Sequence, residues 1–203
     1  MQKGKPQWWD EAEEFLSNDD ILGPVVKQHK GESLEGKGDL FATLVNSIVG
    51  QQISVIAAES IWNRLNDMVG VIAPSQINNF THAEIASCGL TKSKATYILG
   101  VAENPNAFLS PKWDEMTDTE VHKHFVSFKG IGPWTAEMLM IFGLMRPDVF
   151  SLGDIGLVKA VKILVPGTET KEQILEVADR WKPYRTAACW YLWRMLDPVP
   201  VAY

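Results

Sequence analysis

The segment Phe125-Val-Ser-Phe-Lys-Gly-Ile-Gly-Pro-Trp-Thr-Ala136 constrains the fold of this chain more than any other. It reads as a helix that stops at the turn Gly130-Ile131-Gly132 and restarts at once. Pro133 suits the first turn of the new helix, where its missing N–H breaks no bond. Gly130 and Gly132 permit the positive φ of a tight hairpin and let a ligand approach the backbone closely. Such a turn aims backbone N–H groups and the positive end of a helix dipole at one spot, which suits a phosphate oxygen. A plain corner between two helices uses the same residues, so the turn alone leaves both readings open.

The rest of the chain also reads as helix. Apolar residues recur at helical spacing, as in Leu40, Leu44, Val45 and Ile48, while strand signals are scarce. Thr81-His-Ala-Glu84, Thr117-Asp-Thr-Glu120 and Thr170-Lys-Glu-Gln173 each fit the capping box, which marks a helix start. The expected helices are residues 7–17, 20–30, 39–50, 54–69, 82–87, 92–103, 118–127, 133–144, 155–164 and 171–196, the last broken at Pro183.

Apolar residues make up 46% of the 203 and charged residues 22%, the balance of an ordinary globular chain that can bury a core. The apolar runs are far shorter than the roughly 20 residues that span a bilayer, and the first residues lack an apolar signal-peptide centre. The expected location is the cytoplasm, at the nucleoid of a bacterial cell. Cys88 and Cys189 have no CxxC or Cys/His spacing around them, so neither zinc nor an iron–sulfur cluster is expected. The net charge of −6 argues against DNA binding through a broad basic face. Much of that acidity lies at the start, with nine acids against five bases in residues 1–40. A hairpin that binds phosphate through uncharged amides meets the remaining objection.

Twenty-one residues beyond Pro133 lies Asp154, directly followed by the apolar run Ile155-Gly-Leu-Val158. Aspartate is a favoured helix N-cap, and nothing more need be meant by it. The two readings are compatible. The amino end of a helix favours negative charge, so an aspartate there could stabilise positive charge developing on a nearby sugar.

The hairpin followed by Asp154 resembles the helix-hairpin-helix superfamily of DNA glycosylases. Two more segments narrow the resemblance to the 3-methyladenine DNA glycosylase II branch. Ile48-Val-Gly-Gln-Gln-Ile-Ser-Val-Ile-Ala-Ala58 is similar to its IxGQQxSxxAA stretch, and Arg180 to Trp193 is similar to its RWxPYRxxAxxYLW segment. The likeness runs from about Leu40 to Trp193, and residues 1–39 carry no motif.

The resemblance implies an all-α fold of two helical lobes with a DNA-binding cleft between them. One lobe, residues 51–145, would hold the hairpin; residues 1–50 and 146–203 would form the other. It makes Asp154 the catalytic residue and Gly130, Ile131 and Gly132 the phosphate-binding turn. Gln52 would fill the gap that a flipped base leaves, and Ser54 would contact the minor groove. Trp134, Trp193, Met138 and Ile155 would line the base pocket; Met138 and Ile155 stand where the enterobacterial enzyme has tyrosine. Trp113 and Trp181 are expected to be packing residues. The family hairpin can hold a monovalent cation on backbone carbonyls, here near Phe128 and Ile131. No cofactor is implied, and the partner is duplex DNA carrying damaged bases, bound by a monomer.

Bifunctional relatives such as endonuclease III place a lysine where this chain has Trp134. Without that amine no Schiff base forms there, and hydrolysis remains. An anionic Asp154 is a poor general acid, so the favoured leaving groups are purines already cationic, such as 3-methyladenine and 7-methylguanine. Two other readings stay open: a glycosylase for mismatched, deaminated or oxidised bases, and a non-catalytic helix-hairpin-helix module that binds DNA.

Overall fold

In the computed structural model of the chain, which describes residues 3–197, helices begin where the sequence marks their starts. At all three capping boxes the threonine hydroxyl accepts the N–H three residues on, while Glu84, Glu120 or Gln173 reaches back to the threonine N–H. A cap of this kind contributes about 1 kcal/mol to a helix. The helices are α1 (Trp9–Ser17), α2 (Gly23–Gln28), α3 (Leu40–Gly50), α4 (Val55–Val69), α5 (Pro74–Ile77), α6 (His82–Ser87) and α7 (Lys92–Glu103). There follow α8 (Pro105–Leu109), α9 (Asp118–Val126), α10 (Pro133–Met138), α11 (Ile155–Leu164), α12 (Lys171–Asp179) and α13 (Arg185–Leu196). Two strands of two residues each, β1 (Lys3–Gly4) and β2 (Gly36–Lys37), pair antiparallel.

Three features depart from expectation. The helix expected over 133–144 is α-helical only to Met138 and continues as a π-helical turn, Leu139–Gly143. The single-turn helices α5 and α8, each opened by a proline, are too short to show periodicity. The strands are too short to show alternation.

The described residues form two compact units, one of Asp39–Leu139, the other of residues 3–38 together with 140–197. The borders therefore fall earlier than the 50/51 and 145/146 expected. The cause is α3: its buried Leu40, Leu44, Val45 and Ile48 belong to the hairpin-bearing unit, where it packs on α4, α7 and α10.

In the other unit the residues before Gly38 supply core. Trp9 is 1% exposed, meets Trp190 edge-on at 5.4 Å and donates from its indole to the Glu32 carbonyl. Tyr191 donates to Glu13 at 3.0 Å, and burial together with that carboxylate pushes its hydroxyl pKa well above the ordinary tyrosine value. Trp181 is fully buried, with its indole N–H on Asp19. In the hairpin-bearing unit Trp113 packs on Phe125 at 5.1 Å, so both tryptophans are packing residues.

Candidate active site

The hairpin joins α9 to α10. As α9 ends, the Phe128 N–H bonds the Phe125 carbonyl at 3.2 Å, and the Ile131 N–H bonds the Phe128 carbonyl at 3.1 Å. Gly130 has φ 86°, and a Cβ there would collide with the ring of Tyr97, so both backbone and space require glycine. Gly132 corrects the expectation of a second positive φ. It is the N-cap of α10 with φ −86° and ψ 177°, extended backbone of the kind an N-cap adopts. A Cβ built on Gly132 would meet nothing within 4 Å, so glycine leaves the outer face of the turn bare. Ile131 is buried and anchors the turn from beneath.

A residue that sequence reasoning missed holds this turn. Gln51, at the end of α3, donates from Nε2 to the Gly130 carbonyl at 3.1 Å and to the Thr135 hydroxyl at 2.9 Å. Lys94 closes the same end of α3, donating to the carbonyls of Val49 (2.9 Å) and Gln51 (2.8 Å). Burial pulls the Lys94 pKa below the ordinary lysine value. The signal for Gln51 was its polarity just after the apolar Ile48 and Val49 at the end of α3.

Gln52 follows in the left-handed region, with φ 57°, and its side chain is exposed. A non-glycine residue with positive φ is uncommon, and such positions cluster at functional sites. Ser54 is exposed and serves as N-cap of α4, its hydroxyl accepting the Ala57 N–H at 3.3 Å. The residues around them are apolar and open to solvent: Val55 is 72% and Ile56 81% exposed. Trp134 is half-buried on α10. Met138, expected to line a pocket, has no exposed surface.

Asp154, Ile155 and Trp193 belong to the other unit. Asp154 is the N-cap of α11, and its Oδ1 accepts the Leu157 N–H at 2.9 Å. The same oxygen accepts the indole N–H of Trp193, 3.2 Å away on α13. A hydrogen bond to a carboxylate is about twice as strong as one between neutral groups. Trp193 is buried and stacks on Phe142 of the π-helical turn, with ring centres 5.6 Å apart. Ile155, at the first position of α11, is instead 85% exposed.

The loop that leads into Asp154 is held by the face of α13 that carries Trp193, a role not visible in the sequence. Arg185 forks onto Asp148, with Nε to Oδ1 at 2.7 Å and Nη2 to Oδ2 at 3.0 Å. The Thr186 hydroxyl accepts the Val149 N–H and donates to the Arg146 carbonyl, and the Thr186 N–H donates to the Pro147 carbonyl. Cys189 adds a thiol donor to the Val149 carbonyl at 3.5 Å. Arg185, Thr186, Cys189 and Trp193 thus hold 146–154 from its start to the carboxylate. An aspartate fixed this way, beside an aromatic ring, can stabilise a cation formed against it.

Residues 45–183 match the family model of the HhH-GPD superfamily base excision DNA repair proteins. A DNA-3-methyladenine glycosylase of Bacillus subtilis is 30% identical over 199 residues, 90% of this chain and 66% of that protein, so the chain spans about two thirds of this relative. The solved structure of Schizosaccharomyces pombe 3-methyladenine DNA glycosylase in complex with abasic DNA superposes with a TM-score of 0.79 at 29% identity, covering 91% of this chain and 95% of that one. A DNA-3-methyladenine glycosidase from Bacillus halodurans superposes with a TM-score of 0.73 at 34% identity, covering 91% and 88%.

Proposed function

Because the chain belongs to the HhH-GPD superfamily of base excision DNA repair proteins, we propose that it is a monofunctional DNA glycosylase, acting as a monomer on alkylated purines in duplex DNA. The observation that carries the reading is Asp154, a carboxylate fixed at the amino end of α11 by a tryptophan indole. Relatives named for 3-methyladenine support the substrate class.

In this reading the hairpin backbone around Gly132 holds a DNA phosphate, and the damaged nucleotide leaves the stack. Unstacking costs a few kcal/mol, and the exposed Gln52 recovers part of it by filling the gap, with Ser54 on the minor groove. The bond between C1′ and the purine nitrogen then breaks, and its electron pair leaves with the base. Asp154 stabilises the sugar cation, and water adds at C1′ and gives up a proton to the solvent, leaving an abasic site. A purine alkylated at N3 or N7 is already cationic and departs neutral without taking up a proton. Trp134 stands where bifunctional relatives carry lysine, so hydrolysis is not followed by strand cleavage.

Single-turnover assays on matched duplexes bearing 7-methylguanine, 3-methyladenine, hypoxanthine or uracil test this. The cationic purines should be removed fastest, and product strands should stay intact until alkali is added. Asp154→Asn should lose excision at least a hundredfold while duplex affinity stays within about threefold. Mutant activity within about tenfold of wild type, a barrier change of only ~1.4 kcal/mol, would remove Asp154 from the mechanism.

A further inference from the structure

We propose that Gly156 and Trp193 are positioning residues that together set where the Asp154 carboxylate sits. The inference rests on Asp154 being the catalytic group. Two donors from different helices converge on one oxygen: the Leu157 N–H at 2.9 Å and the Trp193 indole N–H at 3.2 Å. The ring that carries the second donor is itself fixed, buried and stacked on Phe142.

Gly156 is explained by the same pair. It lies in α11 between the N-cap and Leu157 with φ outside the positive region, where alanine is the better helix former. A Cβ there would fall 3.0 Å from Asp154 Oδ1, and 3.6 and 3.7 Å from Cδ1 and Nε1 of Trp193. The first distance is closer than ordinary van der Waals contact, so the carboxylate would have to give way. Glycine is kept at this position for the room that the carboxylate and the indole share.

An N-cap alone does not call for this arrangement. Asp39, the aspartate cap of α3, accepts the Ala42 N–H of its own helix at 2.9 Å and serves as a cap in that way. Trp193 has therefore a second task beside presenting an aromatic face: its N–H orients the carboxylate toward the sugar. Misplacement of a catalytic group by about 1 Å costs on the order of a hundredfold in rate, and smaller shifts cost correspondingly less.

Trp193→Phe keeps the ring and its stack while removing the N–H; Gly156→Ala adds the Cβ alone. For each, the single-turnover excision rate on a 7-methylguanine duplex is measured together with Kd for that duplex and the melting temperature. Trp193→Phe should slow excision about tenfold and Gly156→Ala about three- to tenfold, with Kd within about twofold of wild type for both. A packing role would lower melting temperature and affinity and leave the rate of the saturated complex unchanged, and that pattern overturns the proposal. Asp154→Asn is run alongside. Its inactivity with wild-type rates in both other variants rejects positioning alone, whereas an active Asp154→Asn rejects the catalytic reading beneath it. Each variant decides independently, so one that fails to fold leaves the other as the test.

Discussion

His124 lies against Trp113 and Phe128, with ring centres 5.4 and 5.2 Å away, and its Nε2 is buried without a hydrogen-bond partner among the described residues. Burial lowers its pKa below the ordinary histidine value, and a bond with the Phe108 backbone offsets part of that. The neutral ring is therefore the form the fold prefers. The unfolded chain takes up this proton first, so the contribution of His124 to stability is full above the unfolded pKa of about 6.5 and falls away as pH drops toward the lower folded value. The melting temperature should fall between about pH 7 and pH 5, and His124→Phe, which keeps an aromatic ring in the cluster, should flatten that fall. Equal acid slopes in the two proteins would show that His124 is not the group responsible. At this scale the sequence told half of each story. Asp154 was legible because an apolar helix starts directly after it, but its partner Trp193 lies 39 residues away on another helix. Gln51 was passed over for the same reason: the carbonyl it holds, that of Gly130, is 79 residues distant.

Elements were legible wherever their ends carry chemistry. Thr81, Thr117 and Thr170 begin helices because each box satisfies two backbone donors locally, with no help from the rest of the fold. The π-helical turn at Leu139–Gly143 has no such local signature, and neither do single-turn helices. The hairpin shows both cases. Its turn was plain from Gly130 to Pro133, but the division of labour between the glycines was not: Gly130 makes room for Tyr97, whereas Gly132 borders open space. A side chain at Gly132 would thus disturb nothing inside the protein and block whatever approaches from outside. Gly132→Val should leave the melting temperature within a few degrees and weaken binding to damaged and undamaged duplex alike by about tenfold, roughly 1.4 kcal/mol. Binding isotherms on both duplexes check this, and unchanged affinity in the folded variant would make the turn a plain helix corner.

For the whole molecule the question is how a chain with a net charge of −6 holds a polyanion. Part of the answer lies where sequence reading stopped, in residues 1–39. Three of their acids pair with arginines of their own unit: Asp19 and Asp20 with Arg180, and Glu32 with Arg194 at 2.9 Å. Arg185 is taken up by Asp148 and Asp179. These arginines, in or beside a segment that resembles the family motif, bind carboxylates of the protein and are not offered to phosphate. The partners of the acids in residues 1–39 were not legible because each pair joins residues remote in sequence, 160 and 161 positions apart for Asp20 and Asp19. DNA affinity that rests on hairpin amides should then depend weakly on salt, since amides release few counterions. A protein with six to ten phosphate ion pairs loses about 10³ to 10⁵ in affinity between 50 and 200 mM salt; two such pairs would lose only about tenfold. Fluorescence anisotropy on an undamaged duplex over that range should give a loss near tenfold. The slope should be the same for Gly132→Val, because that substitution removes an uncharged contact. A loss of 10³ or more would mean that lysines held in a basic face, and not the hairpin, dominate binding.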